Sequence, residues 1–123
     1  MTALKGRHIL LIDDDETIVV PFQLILQKEG YEVDTALNGR QALEKAGDTE
    51  YYMVISDVML PDIRGIDIAK KIRKHNMNTR FIIMTGFPDL AESIKLIDVG
   101  IDEILIKPIE PDELIRAVKE SLQ

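Results

Sequence analysis

The sequence predicts an α/β fold in which one doubly wound, five-stranded parallel sheet is covered by five helices. Two observations support this prediction. Short apolar runs recur along the chain, as expected for strands that are buried on both faces. The segments between them carry apolar residues at three-to-four spacing, which is typical of amphipathic helices. Strands that alternate with helices require right-handed crossovers, which place helices on both faces of a parallel sheet.

The strands are predicted from the apolar runs alone. Four continuous runs lie at about 8–12, 52–56, 80–84 and 103–106. The segment 31–36 is more alternating, and we expect it to form the second strand in chain order. One strand is therefore expected before each predicted helix.

The helices are predicted from five apolar sets: Ile18, Phe22, Leu24 and Ile25; Ala42, Leu43 and Ala46; Ile66, Ile68, Ala69 and Ile72; Leu90, Ile94 and Ile97; and Leu114, Ile115, Val118 and Leu122. Asn38 is expected to cap the second helix, and Pro111 to open the fifth. Gly30 and Gly100 should follow the first and fourth helices. Pro21 is the one conflict, because it removes a backbone donor and should delay or kink the first helix.

Length and composition exclude several classes of protein. A chain of 123 residues without repeats or linkers predicts a single domain, 1–123. The net charge of −7 argues against direct nucleic-acid binding, which needs a basic patch. The absence of cysteine excludes disulfides and thiolate metal sites. No apolar run approaches the ~20 residues of a membrane-spanning helix, and Met1–Arg7 lacks the apolar stretch of a signal peptide, so we expect a cytoplasmic protein.

Charged side chains follow three of the predicted strands. Asp13 and Asp14 follow the first strand, Asp57 follows the third and Lys107 follows the fifth. The carboxyl ends of parallel strands share one edge of the sheet, where ligands bind, so these residues should converge. Two carboxylates at about 4 Å repel by roughly 1 kcal/mol in water and about 4 kcal/mol at an effective dielectric of 20. The predicted cluster therefore needs a cation.

Five motifs, each at a strand end, give the chain a resemblance to a known family. They are Asp13-Asp14-Asp15, Asp57, Met59-Leu60-Pro61-Asp62 with Gly65, Thr85-Gly86, and Lys107-Pro108. In these motifs the chain resembles the receiver domain of two-component response regulators, from about Arg7 to Leu122. The resemblance implies a flavodoxin-like fold with strand order 2-1-3-4-5.

The resemblance also implies a role for each site residue. Asp57 would take a phosphoryl group from a phosphohistidine on a sensor histidine kinase and form an aspartyl phosphate. Asp13, Asp14, Asp57 and the backbone carbonyl of Met59 would hold Mg²⁺, with Asp14 as a direct ligand and Asp13 acting through water.

Two further side chains would act on the phosphoryl oxygens. The Lys107 ammonium would neutralise their charge together with Mg²⁺. Thr85 would donate its hydroxyl to a phosphoryl oxygen once Asp57 is modified, and this new hydrogen bond would be the switch. Taken singly, each motif residue is an ordinary cap, turn or surface residue, and it is their joint placement that favours the functional interpretation.

The expected partners are a sensor histidine kinase and a downstream effector domain or protein. The family suggests residues 89–121 as the output surface, with Glu92, Lys95, Glu103 and Arg116 as exposed candidates, and a phosphorylation-dependent homodimer is possible. A conventional enzyme is not expected. The alternatives are a phosphorelay intermediate and a non-phosphorylated pseudo-receiver that acts as a docking module. A metal-dependent phosphatase is less favoured, because the second aspartate of its motif is absent after Asp57.

Three positions depart from the family pattern or extend it. Many receivers place Tyr or Phe three residues before the conserved lysine, where this chain has Ile104, so output should depend on the Thr85 loop and the fourth helix. Met59 and Phe87 are apolar, and we hypothesise that they shield the acyl phosphate from water.

His8 and His75 are interpreted as structural or surface residues.

Overall fold

The computed structural model describes residues 8–95, 97 and 99–121. Strands and helices alternate along these residues in the order β1 (His8–Ile12), α1 (Glu16–Lys28), β2 (Glu32–Ala36), α2 (Gly39–Asp48), β3 (Met53–Asp57), α3 (Gly65–His75), β4 (Arg80–Thr85), α4 (Pro88–Lys95), β5 (Glu103–Ile106) and α5 (Pro111–Ser121). Each strand lies within one residue of its predicted position. The predicted alternation is therefore confirmed.

The five strands form one parallel sheet in the order β2-β1-β3-β4-β5, as the resemblance implied. Alternate residues of β1 explain why its apolar run is continuous. Ile9 and Leu11 pack in a cluster with α1 and α5, whereas Leu10 and Ile12 pack in a second cluster with α2 and α3. Burial of one such side chain stabilises the fold by about 1.5–3 kcal/mol, so both faces of the sheet hold helices in place.

The ends of the helices follow the predicted signals. Asn38 caps α2, because its side chain accepts a hydrogen bond from the backbone amide of Gln41 at 2.8 Å. Pro111 is the first residue of α5. Gly30 and Gly100 adopt positive φ angles of 97° and 72°, a conformation that glycine tolerates better than other residues.

Of the predicted delay or kink of the first helix at Pro21, the delay is wrong, and the kink stays a prediction. α1 begins at Glu16, after its cap Asp15, and continues through Pro21. A proline at this point removes one hydrogen bond of the helix, while the buried side chains of Val19, Phe22 and Leu26 keep the helix on the sheet.

Two apolar residues assigned to helix faces lie elsewhere. Leu24 is 55% exposed, because the 100° rotation per residue turns it away from Phe22 and Leu26. Ile97 lies beyond the end of α4 at Lys95 and is 40% exposed. Leu122 lies outside the described residues. Among the described helices, none is long and apolar enough to cross a membrane.

Candidate functional site

The carboxyl edge of the sheet brings together side chains that are far apart in the sequence. Asp57 and Thr85 are the last residues of β3 and β4, while Asp13 and Lys107 are the first residues after β1 and β5. β1, β3, β4 and β5 are neighbours and parallel, so their carboxyl ends lie side by side. The predicted convergence of these residues is therefore observed.

Lys107 joins two of the carboxylates. Its ammonium Nζ lies 2.8 Å from Asp13 Oδ2 and 2.8 Å from Asp57 Oδ2, and it donates a hydrogen bond to each. The side chain of Asp13 is fully buried, and that of Asp57 is 13% exposed. These contacts are shielded from water, so they are stronger than surface ion pairs.

Burial and pairing shift the titration of two members of the cluster. Burial raises the pKa of the Asp13 carboxyl above its ordinary value, although the hydrogen bonds from Lys107 and from the Asp15 amide act in the opposite direction. For the Lys107 ammonium, burial acts to lower the pKa. The hydrogen bonds to Asp13 and Asp57 and their charges outweigh it, so the pKa of Lys107 is raised. The ammonium is therefore protonated at neutral pH.

The carboxylates also form a set of oxygen donors that fits a hard divalent cation. Asp13, Asp14 and Asp57 each offer a carboxylate oxygen, and these oxygens lie within 4.8 Å of one another. One ammonium balances only one of three carboxylate charges. Mg²⁺ prefers oxygen ligands and keeps several waters, which suits a site where Asp14 is exposed to solvent.

The Met59 main chain lies beside the candidate acceptor. Its backbone amide donates a hydrogen bond to Asp57 Oδ1 at 3.1 Å. Lys107 binds the other oxygen, Oδ2, so both oxygens of this carboxylate are held. The Met59 carbonyl as a metal ligand stays a prediction.

Thr85 is buried and tied to the loop that follows it. Its hydroxyl oxygen accepts a hydrogen bond from the backbone amide of Phe87 at 3.0 Å, and its carbonyl accepts one from the Lys107 amide at 2.7 Å. The hydroxyl proton is free to rotate toward another acceptor. A switching role for Thr85 stays a prediction.

Sequence reasoning gave Gly65 no more than the status of a motif residue, but the structure shows why it matters. A Cβ atom on Gly65 would lie 2.5 Å from the Asp57 carbonyl oxygen and 3.0 Å from Ser56 Oγ. The first residue of α3 therefore has to be glycine for the helix to start this close to the acceptor. Pro61, four residues before Gly65, indicates a turn ahead of α3, but nothing in the sequence indicates how closely Gly65 approaches the Asp57 carbonyl.

The predicted output surface requires one correction. Glu92 and Lys95 are exposed and lie 3.3 Å apart, as expected for α4. Glu103 was predicted to be exposed, but only 27% of its side chain is accessible to solvent. It faces Arg116 on helix α5, at 3.5 Å. Ile104 is half-buried and packs against a cluster that includes Ile83 and Ile94.

His8 has a structural environment. It lies 3.0 Å from Asp34 on the neighbouring strand and meets the ring of Tyr51 edge-on at 4.8 Å. His75 is an exposed residue at the end of α3.

A cavity of about 700 Å³ lies at the carboxyl ends of α2 and α3, away from the site. It is lined by Tyr51, Ile72 and Thr79 among others, and it includes none of the site residues.

Comparison with known proteins adds a family and a set of structures. The family model of the response regulator receiver domain matches residues 9–119 of this chain. A CheY-like response regulator receiver domain protein from Methanospirillum hungatei JF-1 is 32% identical, with a TM-score of 0.87 over 94% of this chain and 93% of that one. Chemotaxis response regulator CheY4 of Vibrio cholerae is 30% identical, with a TM-score of 0.85 over 93% of this chain and 97% of that one.

Two relatives from Bacillus subtilis (strain 168) are transcriptional regulatory proteins by name. The uncharacterized transcriptional regulatory protein YkoG is 33% identical over 98% of this chain and 53% of its own length. The alkaline phosphatase synthesis transcriptional regulatory protein PhoP is 32% identical over 96% of this chain and 49% of its own length. The chain spans about half the length of the curated relatives it matches.

Proposed function

Because the chain belongs to the receiver domain family of response regulators, we propose that it is a phosphorylation-dependent signalling switch whose phosphoryl acceptor is Asp57. One observation carries the choice of residue. Of the two carboxylates that Lys107 binds, Asp13 is fully buried, whereas Asp57 is 13% exposed and therefore within reach of a phosphoryl donor. Both oxygens of Asp57 are also held, Oδ2 by Lys107 and Oδ1 by the Met59 amide. A carboxylate with both oxygens held is oriented before the reaction begins, which is what phosphoryl transfer needs most.

The acceptor step forms one bond and breaks one. An oxygen of Asp57 bonds to the phosphorus of a phosphohistidine on a sensor histidine kinase, and the phosphorus–nitrogen bond breaks, which leaves the histidine with the electron pair. The Lys107 ammonium already lies 2.8 Å from this carboxylate, so it can reach the oxygens of a group attached there. Its positive charge opposes the charge that those oxygens carry.

A second positive charge would come from a metal ion held by the acidic cluster. Asp13, Asp14 and Asp57, with the Met59 carbonyl, would hold Mg²⁺, which when bound neutralises charge on the phosphoryl oxygens. Asp13 is fixed by Lys107 and by the Asp15 amide, which donates to Oδ1 at 3.0 Å. Its buried position keeps the carboxylate pointed at the site.

Thr85 connects the acceptor to the output surface. After modification of Asp57, its hydroxyl would donate to a phosphoryl oxygen. The same oxygen now accepts from the Phe87 amide, and the Phe87 carbonyl accepts from the amides of Leu90 and Ala91 in the first turn of α4. A shift of Thr85 would therefore move the start of α4. Because Ile104 stands where many receivers have Tyr or Phe, we expect the signal to pass mainly from Thr85 to α4 and not through an aromatic ring.

We propose two partner classes for this switch. The phosphoryl donor is a sensor histidine kinase, and the receiver of the signal is an effector domain or protein that contacts residues 89–121. The relatives named as transcriptional regulatory proteins support an effector that controls transcription. A phosphorylation-dependent homodimer through the last two helices, α4 and α5, is a further expectation. The alternatives are a phosphorelay intermediate and a non-phosphorylated pseudo-receiver that acts as a docking module.

Phosphorylation by a small donor tests the acceptor. The chain is incubated with Mg²⁺ and acetyl phosphate, beside the near-isosteric variant Asp57→Asn. We expect a mass increase of one phosphoryl group that is labile to base, requires Mg²⁺ and is absent from the variant, with little turnover of general phosphate esters. An unmodified wild-type chain would support a pseudo-receiver, and steady hydrolysis of phosphate esters would support a phosphatase; either result would refute the proposal.

A further inference from the structure

The loop 58–64 between β3 and α3 is attached to a different helix by one carboxylate. Asp62 Oδ1 accepts a hydrogen bond from the Gly39 amide at 2.8 Å, and Oδ2 accepts one from the Arg40 amide at 2.9 Å. These amides belong to the first two residues of α2, which precede Asp62 by more than 20 residues in the sequence. The loop that follows the acceptor is thus tied to α2 rather than only to its own strand and helix.

The start of α2 depends on this carboxylate. The first amides of a helix have no partner within the helix, and they carry partial positive charge. The Asn38 side chain satisfies the Gln41 amide, but the first turn of α2 contains no acidic residue. Asp62 supplies both the acceptors for the Gly39 and Arg40 amides and the negative charge that a helix N-terminus favours. The hydrogen bonds from Gly39 and Arg40 accordingly lower the pKa of the Asp62 carboxyl.

Gly39 provides the room for the loop to approach. A Cβ atom at this position would lie 1.7 Å from Ile63 Cγ2 and 3.1 Å from Asp62 Oδ1. Ile63 also packs against the apolar cluster between the sheet and the helices α2 and α3. Two consecutive loop residues, one charged and one apolar, therefore rest on the same glycine.

The other end of the loop lies at the acceptor. Met59 donates its amide to Asp57 Oδ1 at 3.1 Å and forms an isolated antiparallel bridge with Arg64. The bridge closes residues 60–63 into a short turn whose tip carries Asp62. A displacement of the tip is therefore passed through the bridge to the Met59 main chain, which contacts the acceptor carboxylate.

We infer that Asp62 is a positioning residue for phosphoryl acceptance: by binding the Gly39 and Arg40 amides, it holds loop 58–64 so that the Met59 main chain stays at Asp57. The inference rests on the proposed function of Asp57. Asp62 touches none of the reacting atoms. Its effect is on geometry, and a misplacement of about 1 Å can slow a reaction by up to about a hundredfold.

Two variants break this contact from opposite sides. Asp62→Asn removes the charge and turns one acceptor into a donor, and Gly39→Ala pushes the loop away from α2 with Asp62 intact. Asp48→Asn is the matched control, because Asp48 is also an exposed aspartate but is the last residue of α2, at the opposite end of the helix from Gly39 and Arg40. Thermal unfolding confirms that each variant is folded, and Asp62→Ser replaces Gly39→Ala if the latter is not.

Two measurements are made on each folded variant. The first is the rate of adduct formation with Mg²⁺ and acetyl phosphate, and the second is the amide NMR spectrum of the unphosphorylated protein without Mg²⁺. We expect Asp62→Asn and Gly39→Ala to be labelled about tenfold more slowly, with a shifted Met59 amide signal and faster hydrogen exchange at residue 40. Asp48→Asn should match the wild type in both measurements.

The outcomes separate the two proposals. A wild-type chain that forms no adduct refutes the proposed function, and the positioning role falls with it. A wild-type chain that is labelled, beside an Asp62→Asn variant with either an unchanged rate or an unchanged Met59 signal, overturns the positioning role and leaves the function of Asp57 standing.

Discussion

Replacement of Lys107 by methionine should destabilise the folded protein, because the carboxylates of Asp13 and Asp57 lose the positive charge between them. Each Nζ–oxygen contact of 2.8 Å corresponds to a gross attraction of about 6 kcal/mol at an effective dielectric of 20. Part of this loss is offset, because folding of the variant no longer has to transfer an ammonium group out of water. Breaking a buried pair by removing one partner costs about 3–5 kcal/mol. For Lys107→Met we expect a loss of about 3 kcal/mol in the free energy of unfolding at neutral pH.

Acid should relieve the destabilisation. The pKa of Asp13 is raised above its ordinary value of 3.8, so the folded state binds this proton more tightly than the unfolded state. The stability contributed by Asp13 is therefore complete below pH 3.8 and is lost as pH rises through the folded-state pKa. Lys107→Met removes a hydrogen bond and a charge that lower this pKa, which raises it further. The difference from the wild type should shrink as pH falls from neutral toward the raised folded-state pKa of Asp13.

Urea denaturation without Mg²⁺ measures this effect. Lys95→Met is the matched control, because Lys95 is exposed and pairs with Glu92 at 3.3 Å on the surface, so its loss should change stability by less than about 0.5 kcal/mol. Added Mg²⁺ should stabilise Lys107→Met more than the wild type, since the ion replaces the missing positive charge. Equal stability of Lys107→Met and the wild type at neutral pH would refute the reasoning about the ammonium.

Three further predictions concern the acceptor and its surroundings. Thr85→Ala should still be phosphorylated on Asp57, but amide NMR should show smaller phosphorylation-induced shifts in α4 than in the wild type; wild-type shifts would exclude the hydroxyl as the link. Replacing both Met59 and Phe87, which are 53% and 63% exposed, by serine should speed phosphate release from the labelled protein, and an unchanged rate would refute shielding. Gly65→Ala places a carbon 2.5 Å from the Asp57 carbonyl oxygen, so it should destabilise the fold by about 1–3 kcal/mol in urea, whereas Gly47→Ala, with open space around it, should not.

The sheet and the position of the site could be predicted from the sequence because both follow from local patterns. Strands buried on both faces are continuous apolar runs, and β1 shows why, with Ile9 and Leu10 in different clusters. In a parallel sheet, residues at equivalent strand ends must be neighbours. The contact of Lys107 with Asp13, 94 residues apart, required no more than this rule.

Other features depend on packing that the sequence does not encode locally. Leu24 fits a helical spacing, but which face of α1 is buried is decided by the sheet beneath it. Glu103 is withdrawn from solvent by Arg116 on another element. The contact of Asp62 with α2 arises from how a loop folds over a helix that precedes it in the sequence, and no periodic pattern reports such a contact.

The location of the phosphoryl group is the most direct test of the account. The labelled chain is treated with sodium borohydride, which reduces an aspartyl phosphate to homoserine, and its peptides are sequenced by mass spectrometry. We predict homoserine at position 57 alone, in a reaction that needs both Mg²⁺ and acetyl phosphate. Homoserine at another aspartate, or a labelled protein with aspartate retained at position 57, would contradict the claim that the site is built around this carboxylate.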